Sequence, residues 1–490
     1  MKFVIVGFDG LRPEMITAER MPHLHRFTKR AVVAQEHRCC FPSETYVNLP
    51  SLVTGSNASG HGLVGNSFHD PWFDKGKAFD CENFAHMSFR KAKRAGGVYD
   101  VPSLGEMLGR AGRHLAVLTA NSDGCAYQKH HAGPDFGHLV LSCWTPETGT
   151  PRDEVIRIVE RFGPAGQYQA PDLIGATYLT DIFLDHLARG ALASGSLPDV
   201  TIVWFAEPDT SYHKFGLGSP EALNALADAD NQFGRILDWW ERQGADEEEV
   251  QLLAVSDHAH ITQAEPFDLR QALRDAGFSV GESLADDSDI LVLPGYCARL
   301  YLREPALAKR VAPALMEREE IGMLFSHPRN EVEGLVEGCF SASLVFADHG
   351  DAPDLYAILR TSDESDVWNM EGTCTFDAYY GPGSGMHGGL HRKELTNTLI
   401  AAGSVFREGH DLIEHTGIVD IAPTLLHGFG LQSPEAWHGR VLQEALARAT
   451  EAAPEPTVEH LETGSGPFRQ TLSRVVRGPA CYLDGGGRVT

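Results

Sequence analysis

No apolar stretch in this sequence approaches the roughly 18 uninterrupted residues that a membrane-spanning helix requires, so no span is expected. The N-terminus, MKFVIVGFDG, carries one lysine and a short apolar run that stops at Asp9. It lacks the longer apolar core and small-residue cleavage site of a secretory leader, and a cytoplasmic location is expected. Positive charge is scarce: 41 Lys and Arg stand against 67 Asp and Glu, a net charge of −26. That deficit argues against nucleic acid polymers and anionic membranes as surface partners. An anionic small molecule is still compatible with it, provided local cations such as metal ions supply the attraction. The nine cysteines (Cys39, Cys40, Cys81, Cys125, Cys143, Cys297, Cys339, Cys374 and Cys481) are odd in number, irregular in spacing and free of any C-x-x-C pair. Nothing in them suggests a disulfide framework or a zinc finger, and reduced thiols are expected. There is no Gly-x-Ser-x-Gly elbow, no internal repeat and no low-complexity block.

What is present is the composition of a large globular chain. The 490 residues correspond to about three domains at the usual size, or to one large α/β core with insertions. Residues 2–8 read as a buried strand ending at Asp9-Gly10, and 21–32 as a helix. Residues 67–80 read as irregular, 102–113 as a short helix and 114–120 as a strand. Residues 121–175 have weak periodicity and read as an insertion, followed by a helix over 176–193. The strand 200–209 leads to a loop through His213 and Gly216, then to a long helix over 219–244 and a strand within 249–260. Within 264–380, helices are expected at 267–276 and 306–318, and strands near 290–302, 341–347 and 354–360. A Gly-rich loop at 381–395 precedes a strand at 396–403 and a helix at 418–431. This alternation predicts a parallel sheet flanked by helices. The expected organisation is a catalytic core in two parts, 1–262 (with an insertion at about 67–175) and 381–449. A cap region at 263–380 interrupts it, and a tail at 450–490 could form a hairpin.

Three strands end in an acid, at Asp9, Asp209 and Asp257. In a parallel sheet these ends meet on one edge, where ligands bind. His213 follows Asp209 by four residues and His258 adjoins Asp257, so each acid has a nearby imidazole. Carboxylates and imidazoles together are ligands for divalent ions, and two ions roughly 3.5–4 Å apart can clamp an in-line displacement at phosphorus. The candidate nucleophile is Thr45, in the turn-like Pro-Ser-Glu-Thr run that leads into an apolar segment. A hydroxyl needs a base or a metal to attack at neutral pH, and no Ser-His-Asp order surrounds it. Ser43 rivals Thr45 as nucleophile, His260 rivals His258, and His391 rivals His387.

The segments VGFDGLRPEMI, FPSETYVN, SLVTG, HGLVGNSF, EPDTSYHKFG, SDHAH, GMHGGLH and VDIAPTLL together resemble the alkaline phosphatase superfamily, and within it the nucleotide pyrophosphatase/phosphodiesterase branch. The likeness covers 1–70, 100–120, 176–262 and 381–445. It implies an alkaline-phosphatase-like α/β core with a central, mostly parallel sheet and a smaller inserted cap. It implies two zinc ions, one on Asp209, His213 and His387, the other on Asp9, Asp257, His258 and the Thr45 hydroxyl. Thr45 would attack phosphorus and pass through a phosphothreonine; Asn66 would bind a non-bridging oxygen, and Tyr46 would lie beside the leaving group or nucleoside. The sequence departs from the family in having Val47 where a proline is usual and SDHAH where SDHG is usual. The Cys-x-Pro-x-Arg signature of sulfatases is broken by Glu44. The reading is therefore a two-metal hydrolase of small phosphodiesters. The alternatives are a C–P hydrolase resembling phosphonoacetate hydrolases, with Lys91, Lys93 or Lys129 on the substrate carboxylate, or a phosphomonoesterase of the same superfamily.

Overall fold

The computed structural model describes residues 1–489 apart from 75, 193–194, 244–249, 284, 286 and 378–379. Its centre is an eight-stranded sheet of Lys2–Phe8 (β1), Val32–Arg38 (β2), Leu115–Thr119 (β3), Val140–Ser142 (β4), Val200–Phe205 (β5), Val250–Val255 (β6), Leu399–Ala402 (β7) and His410–Gly417 (β8). The spatial order is β8-β2-β7-β6-β1-β5-β3-β4. All neighbours are parallel except β7, which runs antiparallel to both β6 and β2. The strands at the centre are mostly apolar because both their faces are covered. In β1, Phe3 and Ile5 enter the core on one side, while Val4, Val6 and Phe8 enter the core on the other. The first side packs against the helix Thr45–Thr54, the second against the long helix Pro220–Gln243.

Register places the chemistry. Gly7 pairs with Trp204 of β5 and Val255 of β6, so the C-terminal ends of the three strands lie abreast. Asp9, Asp209 and Asp257 leave the sheet together from that edge. The expected fold class, an α/β core around a mostly parallel sheet, is the one observed.

Several local expectations are revised. The helix expected over 21–32 stops at Thr28, and Val32 already belongs to β2, whose polar second half, residues 35–38, hid it as a strand. Residues 67–80 contain a small ladder between Ser67–Phe68 and Phe79–Asp80. Residues 121–175 contribute the edge strand β4 and the helices Asp123–Lys129 and Arg152–Phe162. The supposed loop through His213 is a helix, Asp209–Phe215. The helix expected over 176–193 runs as Gly175–Ile182 continued by Phe183–Leu187, and the predicted ends at 193 and Gly244 lie outside the described residues.

Residues 280–359 form a second, six-stranded sheet with its own apolar core, including a strand, Ile321–Ser326, that the sequence reading missed. The stretch near 341–347 is mostly a 3-10 turn, Ala342–Val345. Past residue 450 the chain forms a three-stranded antiparallel sheet, Pro456–Ser465, Phe468–Arg477 and Ala480–Arg488, one strand more than a hairpin. Its Phe468, Leu472 and Leu483 join the core of the second sheet. No helix among the described residues is long and apolar enough to cross a membrane.

Candidate active site

Thr45 opens the helix Thr45–Thr54 at the mouth of the sheet edge. The turn before it is fixed by Asn48, whose side chain accepts from the Cys40 amide at 2.6 Å and donates to the carbonyls of Cys40, Pro42 and Glu44. Val47, in place of the usual proline, donates its N–H to the Glu44 carbonyl at 3.1 Å, so the helix still begins at Thr45. A helix start presents backbone N–H groups and a partial positive charge, a favourable surrounding for a phosphoryl group.

Thr45 Oγ1 lies 3.0 Å from His258 Nε2. The same nitrogen is 3.5 Å from Asp257 Oδ2 and 3.7 Å from Asp9 Oδ1, and both carboxylate oxygens are buried without a hydrogen-bond partner. The other oxygens are committed: Asp9 Oδ2 accepts from Trp204 Nε1 and Asn121 Nδ2, each at 3.1 Å, and Asp257 Oδ1 from the Gly10 amide at 3.1 Å. His258 Nδ1 faces the Ala259 carbonyl at 3.2 Å, which leaves Nε2 to present its lone pair to the group. Burial, with the charges of Asp257 and Asp209, pushes the Asp9 carboxyl well above the usual range, and burial pushes Asp257 up to about 6. Two such acids crowded against an imidazole lone pair are relieved by a divalent cation.

A second group adjoins the first. Asp209 and His213 stand one turn apart on their short helix, with Asp209 Oδ1 3.2 Å from His213 Nε2. His387 Nε2 lies 3.5 Å from that oxygen and 3.1 Å from His213 Nε2. His213 Nδ1 donates to the Gly385 carbonyl at 2.8 Å and His387 Nδ1 to the Ser43 carbonyl at 2.7 Å. With these protons committed, two imidazole lone pairs and a carboxylate oxygen converge on one point. That donor set fits a divalent ion, and the carbonyls behind each ring are the usual outer support of ligating histidines. The rings of His258 and His387 stack at 3.7 Å and join the two groups.

The rivals fall in different places. His260 does enter the site: its Nε2 lies 2.9 Å from Asp209 Oδ1, and it is fully buried. Gly10, at φ +72°, makes room for it, since a Cβ there would lie 2.6 Å from Nε2. Against the penalty of burial, His213, His260 and His387 together hold Asp209 well below the usual carboxylate range. His391 lies elsewhere, capping the helix Arg392–Leu395 and meeting Asp363 at 3.0 Å. Ser43 is locked inside, donating to Glu394 Oε2 at 2.9 Å and accepting from the Gly388 amide at 2.8 Å.

Asn66 accepts the Tyr46 amide hydrogen on Oδ1 at 3.0 Å, so its NH2 is the end left for a ligand. Thr45, Tyr46, Asn66, Asp209, His213 and His387 all line one cavity of ≈ 730 Å³. Its walls also carry Trp144, Tyr168 and Tyr380, which the sequence reading did not single out; Tyr380 stacks on His213 at 4.7 Å. The three lysines considered for a substrate carboxylate do not line it. Lys129 is buried over the Trp204 ring, Lys91 pairs with Asp135, and Lys93 lies over Phe89.

The type I phosphodiesterase / nucleotide pyrophosphatase family matches residues 3–362. That range stops short of His387, which lies beside His213 and Asp209 in the structure. Among curated proteins, the Xenopus laevis bis(5'-adenosyl)-triphosphatase enpp4 is 39% identical over 69 residues, 14% of this chain and 15% of that protein. The human ectonucleotide pyrophosphatase/phosphodiesterase family member 5 is 34% identical over 88 residues, 18% of each. The alignments thus span less than a fifth of these relatives. Among solved structures, murine ectonucleotide pyrophosphatase/phosphodiesterase 5 superposes with a TM-score of 0.59 at 18% identity, over 91% of this chain and 100% of that one. The human protein gives 0.61 at 17% identity over the same shares. The fold is shared, and the chain belongs to the type I phosphodiesterase / nucleotide pyrophosphatase family.

Proposed function

We propose that this chain is a metal-dependent hydrolase of small phosphodiesters of the nucleotide type, acting through Thr45. The observation that carries the reading is the position of Thr45 Oγ1 at a helix start, 3.0 Å from His258 Nε2, beside the unpartnered oxygens of Asp9 and Asp257. Asp9, Asp257 and His258, with Thr45, would hold one divalent ion, and Asp209, His213 and His387 a second, with zinc the expected metal. Bound there, the ions supply charge neutralisation at phosphorus and lower the pKa of the Thr45 hydroxyl.

The chain's own residues do the rest. Thr45 Oγ attacks phosphorus, the bond to the leaving alkoxide or phosphate breaks, and a phosphothreonine forms; water then attacks phosphorus and returns the threonine hydroxyl. The Asn66 amide donates to a non-bridging oxygen as charge builds on it. Tyr46, Trp144 and Tyr168 offer flat faces for a nucleoside. A small, enclosed substrate suits a chain of charge −26, and two similar proteins point the same way. One is named for cleaving a bis-adenosyl triphosphate; another, an inactive variant of the murine neighbour, was solved with AMP.

The test is turnover by the metal-loaded chain of four compounds: a nitrophenyl phosphodiester, a nitrophenyl ester of a nucleoside monophosphate, a nitrophenyl monoester and phosphonoacetate. Diester or nucleotide ester cleavage that disappears in Thr45→Ala is the expected result. Preference for phosphonoacetate or the monoester would overturn the substrate assignment.

A further inference from the structure

The second sheet sends a charged side chain, Arg299, against the residue that precedes Thr45. Arg299 sits in the middle of the strand Cys297–Leu302 and is 3% exposed. Its Nη2 pairs with Oε2 of Glu44, the residue immediately before Thr45. Among the described residues it is the only cation at ion-pairing distance from Glu44. The guanidinium crosses Gly65, where a Cβ would lie 2.2 Å from its nitrogens, so glycine is required beneath it. The same Glu44 oxygen accepts the Asn66 backbone N–H at 2.5 Å, and Asn66 Oδ1 accepts the Tyr46 N–H at 3.0 Å. A closed path therefore runs from Arg299 through Glu44 to Asn66 and back to the helix that begins with Thr45.

Neither Arg299 nor Glu44 lines the cavity, whereas Asn66 and Thr45 do. The pair thus stands behind the cavity wall and acts through what it holds. Two consequences follow from its chemistry. The arginine neutralises a carboxylate that would otherwise stand unpaired and 8% exposed, one residue from where an anionic phosphoryl group binds. The carboxylate, held from behind, fixes the backbone of Asn66 so that its amide points at the cavity. We infer that Arg299 is a positioning residue for phosphoryl binding: through Glu44 it orients Asn66 and cancels a charge that would repel the substrate. The inference rests on the phosphodiesterase reading proposed above, and it gives the second sheet a role in the chemistry as well as in covering the core.

The experiment uses the full metal-loaded chain in four forms: Arg299→Met, Arg299→Met with Glu44→Gln, Asn66→Ala, and Asn66→Ala with Arg299→Met. A glutamine at position 44 still accepts the Asn66 N–H but needs no counter-charge. Two readouts are taken: kcat and KM on the nitrophenyl nucleotide ester, and affinity for inorganic phosphate by calorimetry. Arg299→Met is expected to lower kcat/KM by roughly 10²-fold and to weaken phosphate binding, the scale on which a misplaced active-site group acts. Adding Glu44→Gln should restore most of both. In the Asn66→Ala background, Arg299→Met should cost clearly less than it does alone, because the residue it positions is gone and only the unmatched charge of Glu44 is left to act. Equal losses with and without Glu44→Gln, or the same loss in the Asn66→Ala background, would overturn the inference and leave Arg299 as a strut between the sheets. Where Arg299→Met alone does not fold, the Glu44→Gln double variant decides, since it buries no unpaired charge; folded but weak in phosphate binding, it overturns the inference. A wild-type chain that cleaves no ester yet shows this pattern in phosphate affinity would sink the proposed reaction and keep the positioning role.

Discussion

The hydroxyl of Thr45 lies 3.0 Å from Nε2 of His258, though 213 positions separate them in sequence. The imidazole is held neutral by burial, with the nearby charges of His387 and His260 acting in the same direction. It therefore faces the hydroxyl as a lone pair, the state in which histidine binds a metal. Thr45→Ala should abolish turnover by on the order of 10⁴-fold or more, the scale of losing a nucleophile, while most bound metal is kept. Metal analysis alongside steady-state kinetics checks both halves of that statement.

His260 hydrogen-bonds the oxygen of Asp209 that faces His213 and His387. Loss of such a support typically costs roughly 10–100-fold in metal affinity. His260→Ala should show that loss in a chelator competition, whereas His260→Gln, which can still donate to Asp209, should lose less. Equal losses in the two variants would argue against a hydrogen-bonding role.

The aromatic wall of the cavity should sort substrates. Trp144 and Tyr168 meet edge to face at 5.6 Å. Stacking of a base on such a ring is worth about 1–3 kcal/mol, or roughly ten- to hundredfold in affinity. Trp144→Ala should raise KM for the nucleotide ester by that factor and leave the plain nitrophenyl diester nearly unchanged.

Metal uptake should depend on pH. Asp257 titrates at about 6 in the metal-free chain and Asp9 is raised further than an ordinary acid, both chiefly by burial. Below that value protons occupy the carboxylates, and a metal must displace them. Affinity should therefore fall as pH drops through about 6, as read by dialysis against buffered metal at each pH.

Stability should carry its own pH signature through Glu207. This buried acid accepts the amides of Asp172 at 2.7 Å and Ser211 at 3.1 Å, and burial raises it from 4.5 to about 8. Its folded pKa exceeds the unfolded one, so its stabilising contribution is complete below 4.5 and is lost as pH rises through about 8. The difference in Tm between wild type and Glu207→Gln should shrink or reverse in favour of the variant on going from acidic to alkaline buffer. A gap independent of pH would show that folding does not shift the Glu207 pKa.

The sheet and its acids were legible because buried parallel strands are continuous apolar runs, and a run that stops at an aspartate marks its own C-terminal edge. β2 was not, since Val32–Arg38 has three apolar residues followed by four polar ones and starts just after the helix Pro22–Thr28. The helix carrying His213 was read as a loop because it is seven residues long and starts without a side-chain cap. Its consequence, two ligands one turn apart, is still implicit in the spacing of Asp209 and His213. Trp144, Tyr168 and Tyr380 carry no local pattern that separates a wall of a cavity from packing. Arg299 is hidden more deeply: within Cys-Ala-Arg-Leu-Tyr-Leu it reads as an outward residue of a strand, and only tertiary structure shows what covers it.

The strand Ile261–Pro266, which leaves the metal site, pairs antiparallel with Gly385–Met386, which returns to it: Thr262 faces Gly385 and Ile261 faces Met386. The whole excursion between them is therefore a detour whose exit and return are stitched together beside His258 and His387. The entropy of closing such a loop grows only slowly with its length. Evolution can thus lengthen, shorten or replace the excursion while the stitch keeps the ligands where they are. The candidate metal ligands are thus held by the stitch itself, and the excursion reaches back to the site through Arg299.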